Sequence, residues 1–288
     1  MHKIDIDLVE MTLDVMKYAI DRISATERKI GKPKKEEELR ALVGETITEK
    51  GIGGENAFNL WKKHLSKANV PVDHPRNLAF VPASPTRAAI MFDLVTSASS
   101  IHGAYWMEGA GGIFCENEAM KWIVSLTGLP NGAFGVFTSG GTAANLSAMV
   151  TAREHWREND IYKREKGLVI TSIGAHSSIK AMAKVVDVDV LLVDTEDRLE
   201  GEALQHTIDG LTEHERKRLF AVVGTGGTTN AGIIDDLDGI AAICEREHLW
   251  FHVDAAYGGG ALAADSVKHL FTGIERADSI TIDPHKWM

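Results

Sequence analysis

Short apolar segments alternate with helical patterns over the second half of the chain, and this alternation constrains the fold most. The predicted strands are residues 134–139, 168–172, 188–193, 219–224, 249–254 and 279–283. Helices are predicted at 142–156, after His176 and at 236–246. Strands that are almost continuously apolar and alternate with helices form a mostly parallel sheet covered on both faces. The sequence therefore predicts an α/β fold.

The first 85 residues have a different character. Apolar stripes with steps of three and four predict two helices. They comprise Leu8, Met11, Val15 and Tyr18, and then Ala57, Leu60, Trp61, His64, Leu65 and Ala68. Residues 32–40 between them are highly charged and are predicted as a loop and a solvated helix start. Because such stripes need a partner surface, we expect residues 1–85 to form a helical arm and residues 86–288 to form a large domain.

Composition excludes several classes of function. The chain has 31 basic and 41 acidic residues, a net charge of -10, which argues against nucleic-acid binding and against docking on an anionic membrane. Two cysteines, Cys115 and Cys244, provide no disulfide framework and favour a reducing compartment. No membrane span and no signal peptide are predicted. We therefore expect a cytoplasmic enzyme or binding protein.

Polar motifs follow the predicted strands at their carboxyl ends. SGGT starts at Ser139, GTGGTTN follows Val223, and DAAY and DPHK follow the last two strands. His176 follows the strand at 168–172 in the same way. Ligands of parallel sheets bind beyond the carboxyl ends of the strands, so the sequence predicts a site at this edge.

The chain contains two glycine-rich runs, and one of them could bind phosphate. Gly141 and Thr142 open a helix, where backbone N–H groups can bind phosphate, although a tight turn with Thr142 as the helix cap explains them equally well. The chain contains no P-loop pattern, and the dinucleotide-binding fingerprint is absent at this turn. The other run, GAGGIF at 109–114, follows no predicted strand and is expected to be a loop.

Asp254 and Lys286 are the candidates for covalent cofactor chemistry. A carboxylate at the end of an apolar strand needs a cation or several donors, so Asp254 could pair with a protonated cofactor ring, cap a helix or pair with an arginine. Lys286 could form a Schiff base with an aldehyde cofactor, or it could be an ordinary surface lysine. His252 shares a strand face with Asp254 but has no third ligand nearby, so no metal site is predicted.

His176, Thr228 and Thr229 are weaker candidates. The imidazole of His176 could lie flat against an aromatic cofactor ring, or it could start a helix with its ring in solvent. The two threonine hydroxyls could bind a ring oxygen or a substrate carboxylate, or serve only in a turn.

Together the motifs resemble those of the pyridoxal-phosphate-dependent group II amino-acid decarboxylases. They are TSGGTAANLSAM, AHSS, GTTN, HVDAAYGG and DPHKW, in this order. That family includes glutamate, aromatic amino acid, tyrosine, cysteine-sulfinate and diaminobutyrate decarboxylases. The resemblance covers roughly residues 70–288 well. It implies a fold type I large domain of the aspartate aminotransferase type with a mostly parallel seven-stranded sheet, and a homodimer with its sites at the interface.

The resemblance also implies the reaction and the site. An L-amino acid would lose CO2 to give an amine, with pyridoxal 5'-phosphate held by Lys286 as a Schiff base. Asp254 would pair with the pyridinium nitrogen, His176 would stack on the ring, Ala256 would pack against it, and Thr229 would lie near the substrate carboxylate. The implied phosphate-binding residues are Gly141, Thr142 and His285.

Several features depart from the family pattern. GGIFCENEAMKW stands where many members have a Ser-Pro segment, and Asp283 stands where many have Asn. Members continue well beyond the lysine, so the chain is interpreted as a fragment that lacks the small C-terminal domain and has little activity alone. The alternatives are another fold type I enzyme, such as a phosphosphingosine-type lyase, an aminotransferase or a cysteine desulfurase, and a non-catalytic cofactor-binding relative. The substrate amino acid is not identified.

Overall fold

The computed structural model describes residues 6–26, 30–158 and 165–288. The chain divides into two compact units. The first comprises Met1–Ala79 and Ser84–Phe92, and the second comprises Phe80–Ala83 and Asp93–Met288.

The first unit is helical where it is described. Its helices are α1 (Ile6–Ser24), α2 (Glu36–Val43) and α3 (Gly54–Leu60), and α3 continues into a π-helical turn, Trp61–Leu65, and a 3-10 turn, Ser66–Ala68. Both helices predicted from the apolar stripes are therefore present. The rings of Tyr18 and Phe58 meet edge to face at 5.7 Å, so α1 packs on α3.

Two long helices precede the sheet in sequence. The helix α4 (Arg87–Ser99) starts in the first unit and ends in the second, and α5 (Trp106–Thr127) lies in the second. The run at 109–114 lies inside α5, so its prediction as a loop is wrong. Gly109 kinks this helix, and a Cβ there would lie 2.5 Å from the carbonyl oxygen of His102. The glycine thus permits close backbone packing within a helix.

The second unit contains a five-stranded sheet with all strands parallel, in the order β2-β1-β3-β4-β5. The strands are β1 (Leu168–Ser172), β2 (Asp189–Val193), β3 (Leu219–Thr225), β4 (Trp250–Asp254) and β5 (Ser279–Thr281). The helices around them are α6 (Gly141–Arg157), α7 (Ser177–Val186), α8 (Gly201–Asp209), α9 (Glu213–Arg218), α10 (Leu237–Glu247), α11 (Asp265–Lys268) and α12 (Pro284–Trp287). This architecture confirms the predicted α/β class.

Two strand predictions need correction. Residues 134–139 form no strand, and the side chains of Phe134 and Val136 are 87% and 67% exposed, so this apolar run lies at the surface and not in the sheet. The last strand ends at Thr281, earlier than predicted, because Asp283 and Pro284 already start α12. The resemblance implies seven strands, and the described residues supply five.

Successive side chains of each strand enter opposite layers of the core. On one face, Ile170 and Val222 pack with Ile240 of α10. On the other face, Val169 and Val223 belong to the layer formed with α6 and α7, which includes Met149, Ile179 and Met182. The sheet is therefore covered by helices on both faces, as expected for nearly continuous apolar strands.

Parallel pairing brings the carboxyl ends of the strands to one edge. Thr225 pairs with Asp254, and Asp254 pairs with Thr281 in the next strand. The polar motifs that follow these strands therefore start at the same edge, where ligands of such sheets bind.

Candidate active site

A cavity of about 280 Å³ opens at the carboxyl edge of the sheet in the second unit. This volume is near the lower end of small-molecule sites, roughly 300 Å³. The lining residues are Phe80, Val81, Gly141, Thr142, Asn145, His176, Ser178, Thr225, Gly227, Thr228, Thr229, Asp254, Ala256, Tyr257, Asp283 and Lys286. The structure thus brings seven of the eight predicted site residues into one cavity, and the exception is His285.

The start of α6 contributes backbone N–H groups to the cavity. Gly140 precedes the helix with φ 148°, a conformation that favours glycine. The amides of Ala143 and Ala144 donate to the carbonyl of Gly140, whereas those of Gly141 and Thr142 precede the first intrahelical bond. This helix start has the geometry that binds anions such as phosphate.

Asp254 is the buried carboxylate of the cavity, with 6% of its surface exposed. Its Oδ2 accepts a hydrogen bond of 2.9 Å from Asn145 Nδ2, and its Oδ1 accepts one of 3.1 Å from the amide of Ala256. Within the described ranges, no lysine or arginine forms an ion pair with it. The charge of Asp254 is therefore held by neutral donors alone.

Lys286 lies on the short helix α12 and is half-buried. Asp283 caps this helix by accepting a hydrogen bond of 2.9 Å from the amide of His285. The amide of Ala83 donates to the carbonyl of His285 at 2.9 Å. These contacts hold the backbone that immediately precedes Lys286. The side chain of His285 is exposed and outside the cavity lining in the described chain, so its phosphate-binding role stays a prediction.

His176 caps α7 and also lines the cavity. Its Nδ1 accepts a hydrogen bond of 3.2 Å from the amide of Ser178 and lies 2.9 Å from the Ser178 hydroxyl. As a residue, His176 is exposed to solvent. The two interpretations of this histidine, a helix cap and a ring that lies against a cofactor, are therefore compatible, because a capping ring can also face a ligand.

The loop after β3 places its threonines differently. Thr228 forms a turn, since its hydroxyl accepts from the amide of Ile233 at 3.1 Å, whereas Thr229 is exposed at the cavity. Thr225 is 3% exposed, and its hydroxyl forms no well-aligned hydrogen bond in the described part of the chain, although it lies close enough to Asp235 to lower the pKa of that carboxyl group. The backbone amide of Thr225 donates to Asp235 Oδ2 at 2.7 Å, and the amide of Leu199 donates to its Oδ1 at 2.8 Å. Burial raises the pKa of the Asp235 carboxyl group, although these hydrogen bonds act in the opposite direction.

Sequence reasoning missed Asn145, which is 1% exposed and lies between Asp254 and His252. A signal was present, because Asn145 follows Gly141 by four residues on α6 and so shares its helix face. Sequence reasoning also missed Phe80 and Val81, which line the cavity with φ 65° and 53°. A β-branched residue in the left-handed region is a strained conformation, and no local motif pointed to it.

His252 is fully buried beside this site. Its Nε2 lies 3.0 Å from Asn145 Oδ1, and its Nδ1 lies 2.9 Å from the hydroxyl of Ser279. Burial lowers the pKa of His252 to about 4, although the negative charge of Asp254 and a hydrogen bond with the backbone of Ser279 act in the opposite direction. The imidazole is therefore neutral near pH 7, and it serves in a hydrogen-bond network.

Comparison with known proteins identifies the family. The sequence profile of the pyridoxal-dependent decarboxylase conserved domain matches residues 39–288. The chain belongs to the pyridoxal-dependent decarboxylase family. The predicted resemblance to group II decarboxylases is thus confirmed, and the cofactor of this family is pyridoxal phosphate.

Relatives of this decarboxylase-family chain act on different amino acids. It is 33% identical over 255 residues to an aromatic-L-amino-acid decarboxylase of Bacillus atrophaeus, covering 87% of this chain and 52% of the relative. It is 32% identical over 286 residues to a cysteine sulfinic acid decarboxylase of Mus musculus, covering 94% and 56%. The chain therefore spans about half the length of these curated relatives.

A solved structure supports the fold assignment. The crystal structure of mouse CSAD in apo form superposes with a TM-score of 0.86 at 29% identity, covering 98% of this chain and 61% of that chain. Fold type I for this decarboxylase-family chain is therefore confirmed.

The residues of the cavity fit pyridoxal phosphate. A buried carboxylate without a cationic partner suits a protonated ring nitrogen, since burying such a charge unpaired is costly. The helix start at Gly141 suits the phosphate, and the buried hydroxyl of Thr225 forms no well-aligned hydrogen bond among the described residues. Lys286 lines the same cavity and supplies the amine that an aldehyde needs.

Among the described residues, no group of three or more His, Cys, Asp or Glu side chains has an arrangement able to hold a metal ion. None of the described helices is both long and apolar enough to cross a membrane.

Proposed function

We propose that the protein removes CO2 from an L-amino acid, giving the amine, with pyridoxal phosphate bound in the cavity at the carboxyl edge of the sheet. One observation carries this proposal: Lys286 and the buried Asp254 line one cavity together with the start of α6. An amine, a carboxylate and an anion site are the groups that would hold the aldehyde, the ring nitrogen and the phosphate of this cofactor.

When it is bound, the cofactor supplies an electron sink for the bond that breaks at Cα. The chain would supply position and charge. Lys286 would hold the aldehyde carbon covalently until the substrate amine displaces it. Asp254 would keep the ring nitrogen protonated, which favours electron withdrawal. Gly141 and Thr142 would bind the phosphate through their backbone amides, and Ala256 would pack against the ring.

His176 and Thr229 would act on the substrate side of the cavity. His176 would stack on the ring and orient the substrate, and Thr229 would offer its hydroxyl near the substrate carboxylate. Orientation matters because the bond to the carboxylate breaks readily only when it stands perpendicular to the ring. The relatives act on aromatic and on sulfinic substrates, so the identity of the amino acid is left to a substrate panel.

Substitution of Lys286 by Ala tests the proposal. We expect the absorbance band of lysine-bound cofactor and all amine production to disappear, because no other lysine lines the cavity among the described residues. Lys180→Ala is the matched control, since Lys180 is an exposed lysine of α7 outside the cavity lining of the described chain. The measurements are absorbance during cofactor titration and amine release from a panel of amino acids.

The outcomes separate the competing functions. Retention of the lysine-bound band in Lys286→Ala would refute the assignment of Lys286. A wild-type band without amine from any amino acid would favour the non-catalytic cofactor-binding relative. Transfer of the amino group to a keto acid, without CO2 release, would favour an aminotransferase.

We also propose a homodimer in the cytoplasm. Leu13 and Ile20 on α1 are 62% and 50% exposed, which supports a partner surface for the arm. Cys115 and Cys244 are both free, which supports a reducing compartment. Sedimentation that shows only well-folded monomers would contradict the dimer.

A further inference from the structure

A line of side-chain hydrogen bonds runs through the layer behind the cavity. Trp250 Nε1 lies 2.8 Å from the hydroxyl of Ser279, and this hydroxyl lies 2.9 Å from His252 Nδ1. His252 Nε2 then lies 3.0 Å from Asn145 Oδ1. Both His252 and Asn145 are almost completely buried, so water does not compete for these bonds.

The line divides at Asn145. Its Nδ2 lies 2.9 Å from Asp254 Oδ2 and 3.1 Å from the hydroxyl of Ser178. The Ser178 hydroxyl in turn lies 2.9 Å from His176 Nδ1. A single amide therefore contacts the buried carboxylate directly and the cavity histidine through one hydroxyl.

The donors and acceptors of this hydrogen-bond network can be assigned by starting from Trp250. An indole N–H can only donate, so the oxygen of Ser279 accepts from Trp250 and its own proton is available for His252 Nδ1. His252 is neutral, so its remaining proton is on Nε2, which donates to Asn145 Oδ1. The oxygen of the amide therefore faces His252.

Starting from Asp254, at the other end of the network, leads to the same assignment. A carboxylate only accepts, so the NH2 group of Asn145 must face Asp254. The second N–H of this group donates to the oxygen of Ser178, which leaves the Ser178 proton for His176 Nδ1. The amide of Ser178 also donates to Nδ1, at 3.2 Å. His176 Nδ1 therefore carries no proton, and in the neutral ring the proton is on Nε2.

We infer that Asn145 is a positioning residue whose amide orients the carboxylate of Asp254 and, through Ser178, holds His176 as the Nε2–H tautomer. His252, Ser279 and Trp250 fix the direction of this amide from behind. His176 then presents a donor and not an acceptor at its second ring nitrogen. A substrate carboxylate accepts hydrogen bonds, so this consequence rests on the proposed function, whereas the tautomer itself does not.

Nitrogen NMR of cofactor-free protein labelled with 15N-histidine tests the assignment directly. Near pH 8, roughly 1.5 units above the ordinary pKa of histidine, we expect the wild-type spectrum to show a single Nε2–H tautomer for both His176 and His252. Asn145→Leu keeps the side-chain size but removes the amide, so the Ser178 hydroxyl loses the donor that orients it and the His176 nitrogen resonances should shift, while the Ser178 amide still donates to Nδ1. Ser178→Ala, which removes only the last hydroxyl, should shift the same resonances if Asn145→Leu does not fold.

Conservative and control variants separate positioning from packing. His252→Gln retains an N–H that can donate to Asn145, so the His176 resonances should remain those of the wild type. Thr171→Val removes a buried hydroxyl whose bond to the carbonyl of Val223 lies within the sheet, and it should leave His176 unchanged. A proton on His176 Nδ1 in the wild type would overturn the inference. So would unchanged His176 resonances in both Asn145→Leu and Ser178→Ala.

Cofactor titration gives a second measurement. Asn145→Leu should weaken the binding of pyridoxal phosphate by tenfold or more, about what one hydrogen bond to a charged group contributes, and Thr171→Val should bind it like the wild type. Equal affinities of wild type and Asn145→Leu would overturn the role toward Asp254. Failure of the wild type to bind the cofactor would refute the proposed function, while the NMR spectra would still decide the tautomer.

Discussion

Acidification should destabilise the folded chain through His252, and the size of the effect follows from its burial. The pKa of this histidine is about 4 in the folded chain, against 6.5 for an ordinary histidine. Because the folded pKa is the lower of the two, the unfolded chain binds a proton between these values and the folded chain does not. The stability contributed by the neutral histidine is therefore present above pH 6.5 and is lost as the pH falls toward 4.

The magnitude is obtained from the difference between the two pKa values. Each pKa unit corresponds to about 1.4 kcal/mol. Protonation of His252 should therefore lower the free energy of unfolding by about 3 kcal/mol as the pH falls from about 7.5 to about 4. Below the folded pKa this contribution no longer changes, since both states are then protonated.

Urea unfolding followed by tryptophan fluorescence at several pH values measures this effect. Other groups, including the buried Asp235, also titrate in acid, so the useful quantity is the difference between wild type and His252→Gln. Glutamine does not titrate but can still donate to Asn145, so its pH curve should be flatter by about 3 kcal/mol over the same interval. Parallel curves for the two proteins would refute the argument, because His252 would then titrate like an exposed histidine.

Two matched pairs of substitutions test the packing of the site. Gly258→Ala should lower the unfolding free energy by about 1–3 kcal/mol or more in thermal or urea unfolding, because a Cβ would lie 2.1 Å from the carbonyl oxygen of Gly226. Gly111→Ala, in helix α5 with open space around it, should instead stabilise by up to about 1 kcal/mol, and equal effects of the two would contradict the geometry. Thr225→Val should leave the unfolding free energy of cofactor-free protein nearly unchanged while weakening cofactor binding, whereas Thr171→Val should cost about 1 kcal/mol and leave binding unchanged. A loss of stability in Thr225→Val as large as in Thr171→Val would show that its hydroxyl already has a partner.

Local sequence patterns were sufficient to predict most strands of the sheet. The segments at 168–172 and 219–224 are apolar because both faces of their strands are covered. A strand buried on both faces has an almost continuous run of apolar residues, which can be recognised in the sequence. The segment at 134–139 is equally apolar but exposed, and composition alone cannot tell these two environments apart. The prediction of a loop at residues 109–114 is wrong because glycine is as compatible with a tightly packed helix as with a loop.

The α/β class, the edge of the sheet that carries the site and the resemblance to a decarboxylase family can all be predicted from local patterns, since each depends on residues close together in the chain. The contacts that hold the site in place join residues far apart in the chain, and they became visible only in the folded molecule. Asn145 contacts a carboxylate 109 residues away and an imidazole 107 residues away. Such a contact exists because a helix start and a strand end meet across the packed core, and no local pattern records that meeting.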